Sequence, residues 1–153
     1  MLAAMDLSGL KQDIQRWAIE AGFSGIGVAG VDLTGAEQHL RDWLMAGHHG
    51  EMAWMESHGD KRTRPALLEP GTIRVISVRL DYLPSESQPL EVLADNSKAY
   101  ISRYALGRDY HKMMRKRLAR LCERIREAAQ DCGLARAFVD SAPVMEKPLA
   151  QQA

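Results

Sequence analysis

Residues 73–82 read Ile-Arg-Val-Ile-Ser-Val-Arg-Leu-Asp-Tyr, and within them Ile76, Val78, Leu80 and Tyr82 alternate with Ser77, Arg79 and Asp81. A period of two is that of a β-strand with one apolar face, so this stretch is the clearest strand in the chain and needs a cover. Upstream, Leu10, Ile14, Trp17 and Ala21 recur at helical spacing, Gly22 is a helix stop, and Ile26 to Ala29 reads as a short strand. Thr34-Gly-Ala-Glu37 has the spacing of a capping box ahead of Leu40, Trp43 and Leu44, a second helix ending near Gly47. A short helical stretch from Glu51 to Glu56 and the basic loop DKRTRPALLEPGT, residues 60–72, lead back to the strand.

Downstream, residues 83–97 are polar and proline-punctuated, hence a loop, and Tyr100 to Ala105 is read as a strand. The longest helix is expected from Tyr110 to Cys132, with Met114, Leu118, Leu121, Cys122, Ile125 and Ala129 on one side and Gly133 as its stop. A strand at Ala137 to Asp140 and a helix begun near Pro143 complete the order. Helices and strands interleave without a repeat. That predicts one domain over residues 1–153, a layered α/β (α+β) sandwich with a mixed sheet flanked by helices.

Composition narrows the function. With 46% hydrophobic residues the 153-residue chain suits a single buried core, and 20 basic against 20 acidic residues give no whole-molecule field toward polyanions. No apolar run approaches the ~18 residues of a membrane span, and MLAAMDLSGL has no basic residue before its first acid, so a soluble, cytoplasmic protein is expected. Two cysteines, Cys122 and Cys132, exclude a disulfide framework and four-thiolate metal or iron–sulfur sites within this chain. The last residues, Leu149-Ala-Gln-Gln-Ala153, lie in a segment read as helical without a capping signal, and the natural sequence is expected to continue.

Neutrality hides a local excess. Ile101 to Arg126 holds nine basic residues against two acids, so this segment is +7 and the rest −7. On a helix with its apolar side inward, Lys112, Arg115, Lys116 and Arg120 point out as a phosphate-binding stripe; the alternative is an ordinary solvated helix.

Three clusters bear on chemistry. His48 and His49 are adjacent, His39 and His58 stand on separate segments, and no HExxH occurs, so no metal site is expected. The string Arg103-Tyr-Ala-Leu-Gly-Arg-Asp-Tyr-His111 sits at a strand-to-helix junction, where α/β folds gather ligand groups; Gly107 bends the chain and Asp109 caps the helix, and both roles are compatible. Asp140 closes an apolar strand, where a partly dry pocket would raise its pKa as a general acid requires; alternatively Asp140 or Ser141 is a helix N-cap. Glu146 and Lys147 follow one helical turn later, and either can face the same pocket. No glycine-rich phosphate loop, GxSxG or cysteine–histidine pair is present. Asp109-Tyr-His111 begins the DxHxxG pattern that puts histidine on cobalt, but Met114 stands where that pattern needs glycine.

Five stretches together resemble a known family, the epoxyqueuosine reductases of tRNA modification: Gly47-His-His-Gly50-Glu-Met-Ala-Trp-Met55; Lys61-Arg62 with Arg64-Pro65; Pro70-Gly71-Thr before Val75-Ile-Ser-Val; Arg103 to His111; and Val139-Asp-Ser-Ala-Pro143-Val-Met-Glu-Lys147-Pro. They occur in the family's order across residues 9–153. The resemblance implies a cobalamin-binding domain related in fold to flavin nitroreductases, with no protein ligand on cobalt. It also implies reduction of epoxyqueuosine, at the tRNA wobble position, to queuosine.

Carried over, the resemblance makes Asp140 the proton donor and sets Arg62, Arg103, Tyr104, Gly107, Asp109, Tyr110, His111, Asp140 and Ser141 around the corrin. The resemblance also implies that Lys147 faces substrate, and the basic helix, through Lys112, Arg115 and Arg120, is expected to hold the tRNA by phosphate contacts. Members of the family continue with a glycine-rich AGLGWxGK segment, a ferredoxin-like region carrying two 4Fe-4S clusters, and a helical-repeat tail. A monomer is expected, unable to turn over as these 153 residues alone. The competing expectations are a flavin-dependent reductase of nitroreductase-like fold and a non-enzymatic RNA-binding module, the latter resting only on the +7 segment.

Overall fold

The computed structural model describes residues 7–83, 88–129 and 135–153. Helix α1 spans Leu7–Glu20 and ends in two interlocked bonds, Phe23 N–H to the Ala18 carbonyl at 3.0 Å and Gly22 N–H to Ile19 at 2.8 Å, with Gly22 at φ +84°. This is the Schellman stop that the glycine promised, and the turn delivers the chain into β1, Gly25–Ala29. β1 pairs antiparallel with β2, Val75–Arg79, in the register Gly25↔Arg79, Gly27↔Ser77 and Ala29↔Val75.

Register decides what each face can receive. Ile26, Ile76 and Val78 turn one face, with Leu80 just beyond, to a core of Ile14, Trp17, Ala18, Phe23 and Leu121, which α1 and α5 (Tyr110–Ala128) close. The opposite face carries Gly27, Ala29 and Val75, and there α6, Glu146–Gln152, packs Leu149 at 1% exposure against Ala29 and Leu33. A Cβ on Gly27 would lie 2.6 Å from the Ala153 Cβ and 2.7 Å from its carbonyl oxygen, so glycine is what lets the end of α6 lie on the sheet. The result is three layers: α1 and α5, the β1–β2 ribbon, and α6.

Helix α2, Thr34–Met45, starts where expected but without the capping box. Asp32 Oδ1 accepts from the Thr34 amide at 3.0 Å and from its hydroxyl at 2.6 Å, which satisfies the helix start from outside. Glu37 is thereby released to take both Arg64 nitrogens (3.0 and 2.8 Å), the Thr63 hydroxyl (2.9 Å) and Arg41 (2.6 Å). Those bonds fasten the basic loop, which contains short helical turns at Gly59–Arg62 and α3, Pro65–Leu68. They hold the Glu37 carboxyl down at about 2, Arg64 contributing most and Thr63 next.

Other expectations are corrected. The described residues hold a two-stranded antiparallel sheet, not a mixed one. Residues 103–105 form a 3-10 turn instead of a strand, and Ile101 and Tyr104 are both 57% exposed, with no neighbouring strand among the described residues to bury them. Ala137 to Val139 is irregular: Val139 is buried, but the backbone swings to φ +51° at Asp140, which no strand accommodates. α6 begins at Glu146, because Pro148 fits a first helical turn where its missing N–H is not needed. Part of the expected loop 83–97 is α4, Pro89–Ala94. Cys132 and the Gly133 stop lie outside the described residues.

Candidate active site

The N-terminus of α5 and the bend before α6 build one cluster. Gly107, at φ +89°, turns the chain so that Asp109 caps α5, accepting from the His111 amide at 2.9 Å and meeting His111 Nδ1 at 2.8 Å. These His111 contacts hold the Asp109 carboxyl below its ordinary range. The Tyr110 ring stacks on the His111 imidazole at 4.2 Å and 23°, and meets Tyr104 edge-on at 6.4 Å.

Asp140 is where these groups converge. The Tyr110 hydroxyl donates to Asp140 Oδ2, and His111 Nε2 lies 3.7 Å from the same oxygen. Ionising Tyr110 would break that bond and set phenolate against carboxylate, so its pKa is pushed up to about 12. From the other side, Glu146 Oε1 accepts the Asp140 amide at 3.2 Å. Desolvation, more than the neighbouring Asp140 carboxylate, raises Glu146 above the usual carboxyl range, although the residue as a whole is surface-exposed. Ser141 Oγ accepts from Arg115 Nη2 at 3.3 Å.

The expected dry strand tip is not the environment of Asp140. Its side chain is 46% exposed and held by named polar partners, because the bend at φ +51° replaces the strand. Tyr110, His111, Asp109, Tyr104 and Ser141 are gathered with it. Arg62 belongs to a different locale: it lies 5.6 Å from the Trp54 ring centroid and donates to the Trp54 carbonyl at 3.3 Å. Arg103 sits on the 3-10 turn beside Tyr104, and both arginines bury an Nε–H that finds no acceptor among the described residues. Glu146 is the contributor that the sequence left undecided; the six-residue gap from Asp140 and the intervening proline are its only signal.

The basic helix divides by function. Arg117 reaches the Gly22 carbonyl at 3.5 Å, while Arg124 bonds Glu20 at 2.7 Å and covers the Trp17 ring at 4.8 Å, so both dock α5 on α1. Lys112, Lys116 and Arg120, one helical turn apart, are exposed and make no hydrogen bond or ion pair with the described residues. Lys147 is likewise exposed on α6. Burial raises the Cys122 thiol above its ordinary pKa, which disfavours the thiolate a nucleophile needs.

Among the described residues no group of three or more histidine, cysteine or acidic side chains can hold a metal, and no helix is long and apolar enough to cross a membrane. Two surface concavities of about 130 and 320 Å³ flank α2; Glu37, Arg41, Asp60 and Thr63 line the first, and Trp43, Met55, Met145 and Pro148 the second.

A carboxyl, a phenol and an imidazole thus meet at the N-terminus of a helix whose exposed face carries Lys112, Lys116 and Arg120. Residues 62–141 match the family Epoxyqueuosine reductase QueG, DUF1730, and since that match covers just over half of the chain, the chain belongs to this family. It is 55% identical over 152 residues to an epoxyqueuosine reductase of Pseudomonas aeruginosa, covering 99% of the chain and 42% of that protein. It is 54% identical over 149 residues to that of Vibrio cholerae (97% and 40%), and 47% identical over 153 residues to that of Escherichia coli K12 (100% and 40%). The chain thus spans about 40% of the length of the curated relatives it matches. No solved structure matches it.

Proposed function

We propose that this chain is the cobalamin- and substrate-binding part of an enzyme that reduces epoxyqueuosine to queuosine at the wobble position of tRNA. The observation that carries the reading is the Asp140 carboxyl, gripped by the Tyr110 hydroxyl and flanked by His111 where the cationic helix begins. The curated relatives, all epoxyqueuosine reductases, supply the substrate class.

Converting an epoxide to an alkene consumes two electrons and two protons and releases the oxygen as water. The chain's task is to hold the substrate and deliver a proton. Asp140 is the donor to the departing oxygen or the adjacent carbon. Tyr110, which keeps its proton up to about 12, is too weak an acid to compete and orients the carboxyl instead. His111, fixed by Asp109, holds its Nε2 3.7 Å from the Asp140 carboxyl and bounds the site on that side.

The residues present suit the cofactor in their donor chemistry. Buried donors require acceptors, and the unpartnered Nε–H groups of Arg62 and Arg103 match the amide carbonyls and phosphate of cobalamin. Tyr104, Gly107, Asp109, Tyr110, His111, Asp140 and Ser141, together with Arg103, would hold it around the start of α5, and Arg62 would have to reach it from its separate place on Trp54. When bound, cobalamin supplies low-valent cobalt, a strong nucleophile and reductant. We assign the electron supply to two 4Fe-4S clusters on cysteines that this chain lacks, and the fold to the nitroreductase-like class, for which helices on both faces of β1–β2 are the support. Lys112, Lys116 and Arg120 grip tRNA phosphates, with Arg115 and Lys147 nearer the reacting base. We assign the enzyme to the cytoplasm and to a monomeric state.

Asp140→Asn in the full-length protein should lower kcat by ~10²–10⁴ with the tRNA Kd unchanged, read as alkene product by nucleoside mass spectrometry. Wild-type turnover by this variant removes Asp140 from the chemistry. The absorption spectrum of the purified protein distinguishes a corrin from the isoalloxazine of a flavin enzyme.

A further inference from the structure

We infer that Glu146 is a positioning residue for Asp140: its carboxylate clamps the Asp140 backbone in the conformation that presents the acid to Tyr110 and His111. The inference rests on the reading of Asp140 as proton donor.

Asp140 is the one non-glycine residue at positive φ among those described, at +51°. Aspartate tolerates this region when its side chain bonds local backbone, and otherwise such a conformation persists only if its surroundings impose it. Here the side chain is engaged elsewhere, on the Tyr110 hydroxyl 30 residues away in sequence. The restraint therefore has to come through the backbone. Glu146 Oε1, on the Asp140 N–H at 3.2 Å, supplies it.

The clamp is anchored. The chain reverses between the two residues through the Ala142 carbonyl, which accepts the Val144 amide at 2.8 Å, and this brings the start of α6 back under Asp140. α6 in turn is fixed by buried Leu149 and by Gln152, which donates to the Asp32 carbonyl at 2.9 Å. A rigid element on the second core thus sets the backbone of the reacting residue, while α5, on the first core, sets its side chain. The charged and titratable groups around the pair are Asp109, Tyr110, His111 and Arg115 from α5, and Lys147 beside Glu146 on α6.

The test uses the full-length protein and three variants. Glu146→Ala frees the Asp140 amide; kcat should fall ~10-fold while KM for tRNA stays within ~2-fold, since Glu146 is not assigned to substrate. Glu146→Gln keeps an acceptor oxygen and should recover most of that loss. The second readout is Tyr110, followed by carbon NMR on labelled tyrosine. Its phenol should titrate near 12 in wild type and Glu146→Gln, and nearer 10 in Glu146→Ala, where the Asp140 carboxylate has moved away. Should Glu146→Ala not fold, Glu146→Asp, which withdraws the carboxyl by one methylene, is expected to give the same displacement. Wild-type kcat together with an unmoved Tyr110 in the folded variant overturns the clamp. An active Asp140→Asn would instead overturn the proton-donor reading, and the Tyr110 titration would still decide whether Glu146 sets the geometry.

Discussion

The two ends of α5 are held by different physics. Toward its C-terminus, Leu121 is buried at 3% exposure and Leu118 and Ile125 pack on Trp17 and its neighbours, with Arg117 and Arg124 stitching the same face to α1. At its N-terminus, Tyr110, His111 and Arg115 reach Asp140, Asp109 and Ser141 through directed polar contacts at a half-open surface. Apolar burial is tolerant of direction and supplies stability; polar contacts depend on angle and distance and fix a reactive geometry. On the proposed reading, one helix carries stability at one end and chemistry at the other, and substitutions should separate the two.

The sharpest contrast is between Asp140→Asn, which should remove turnover with Tm unaltered, and Leu121→Ala. The latter leaves a cavity in the first core and should cost about 2–5 kcal/mol in urea unfolding. Any loss of activity in Leu121→Ala should track the unfolded fraction. Next, Lys112→Glu with Lys116→Glu and Arg120→Glu should leave unfolding unaffected and reduce the salt slope of tRNA binding by ~3, about one for each phosphate no longer neutralised. An unchanged slope returns α5 to a solvated helix. Gly27→Val, which drives a branched side chain into the end of α6, should cost about 1–3 kcal/mol by the same unfolding assay.

The smallest effect belongs to the loop. Glu37 titrates at about 2 in the fold against an ordinary 4.5, so its contribution to stability is complete above pH ~4.5 and drains away as pH falls toward 2. Glu37→Gln should flatten the acid limb of a stability-against-pH curve between those values and leave the neutral region with a constant offset. An acid limb identical to wild type would mean that Arg64 and Thr63 do not hold it.

Elements with strong periodicity are legible in the amino-acid order itself. α1, α2, α5, β1 and β2 follow from the spacing of apolar residues, and the Gly22 stop and Asp109 cap from local chemistry. What escapes such reading is whatever needs a distant partner. Tyr100 to Ala105 and Ala137 to Asp140 have strand-like composition, but a strand exists only beside another, and among the described residues none lies beside these. The Thr34–Glu37 box is displaced because Arg64, 27 residues on, competes better for the carboxylate. Likewise the Asp109–His111 pairing is two residues long and readable, whereas the grip of Tyr110 on Asp140 spans 30.

Because α5 is an unbroken rod of 19 residues, about 28 Å long at 1.5 Å per residue, it works as a ruler. Its cationic line and its N-terminal acid partners are fixed to the same axis. A polyanion seated on that line would therefore reach the Asp140 carboxyl at a set offset, chosen by helix geometry with no loop needing to close.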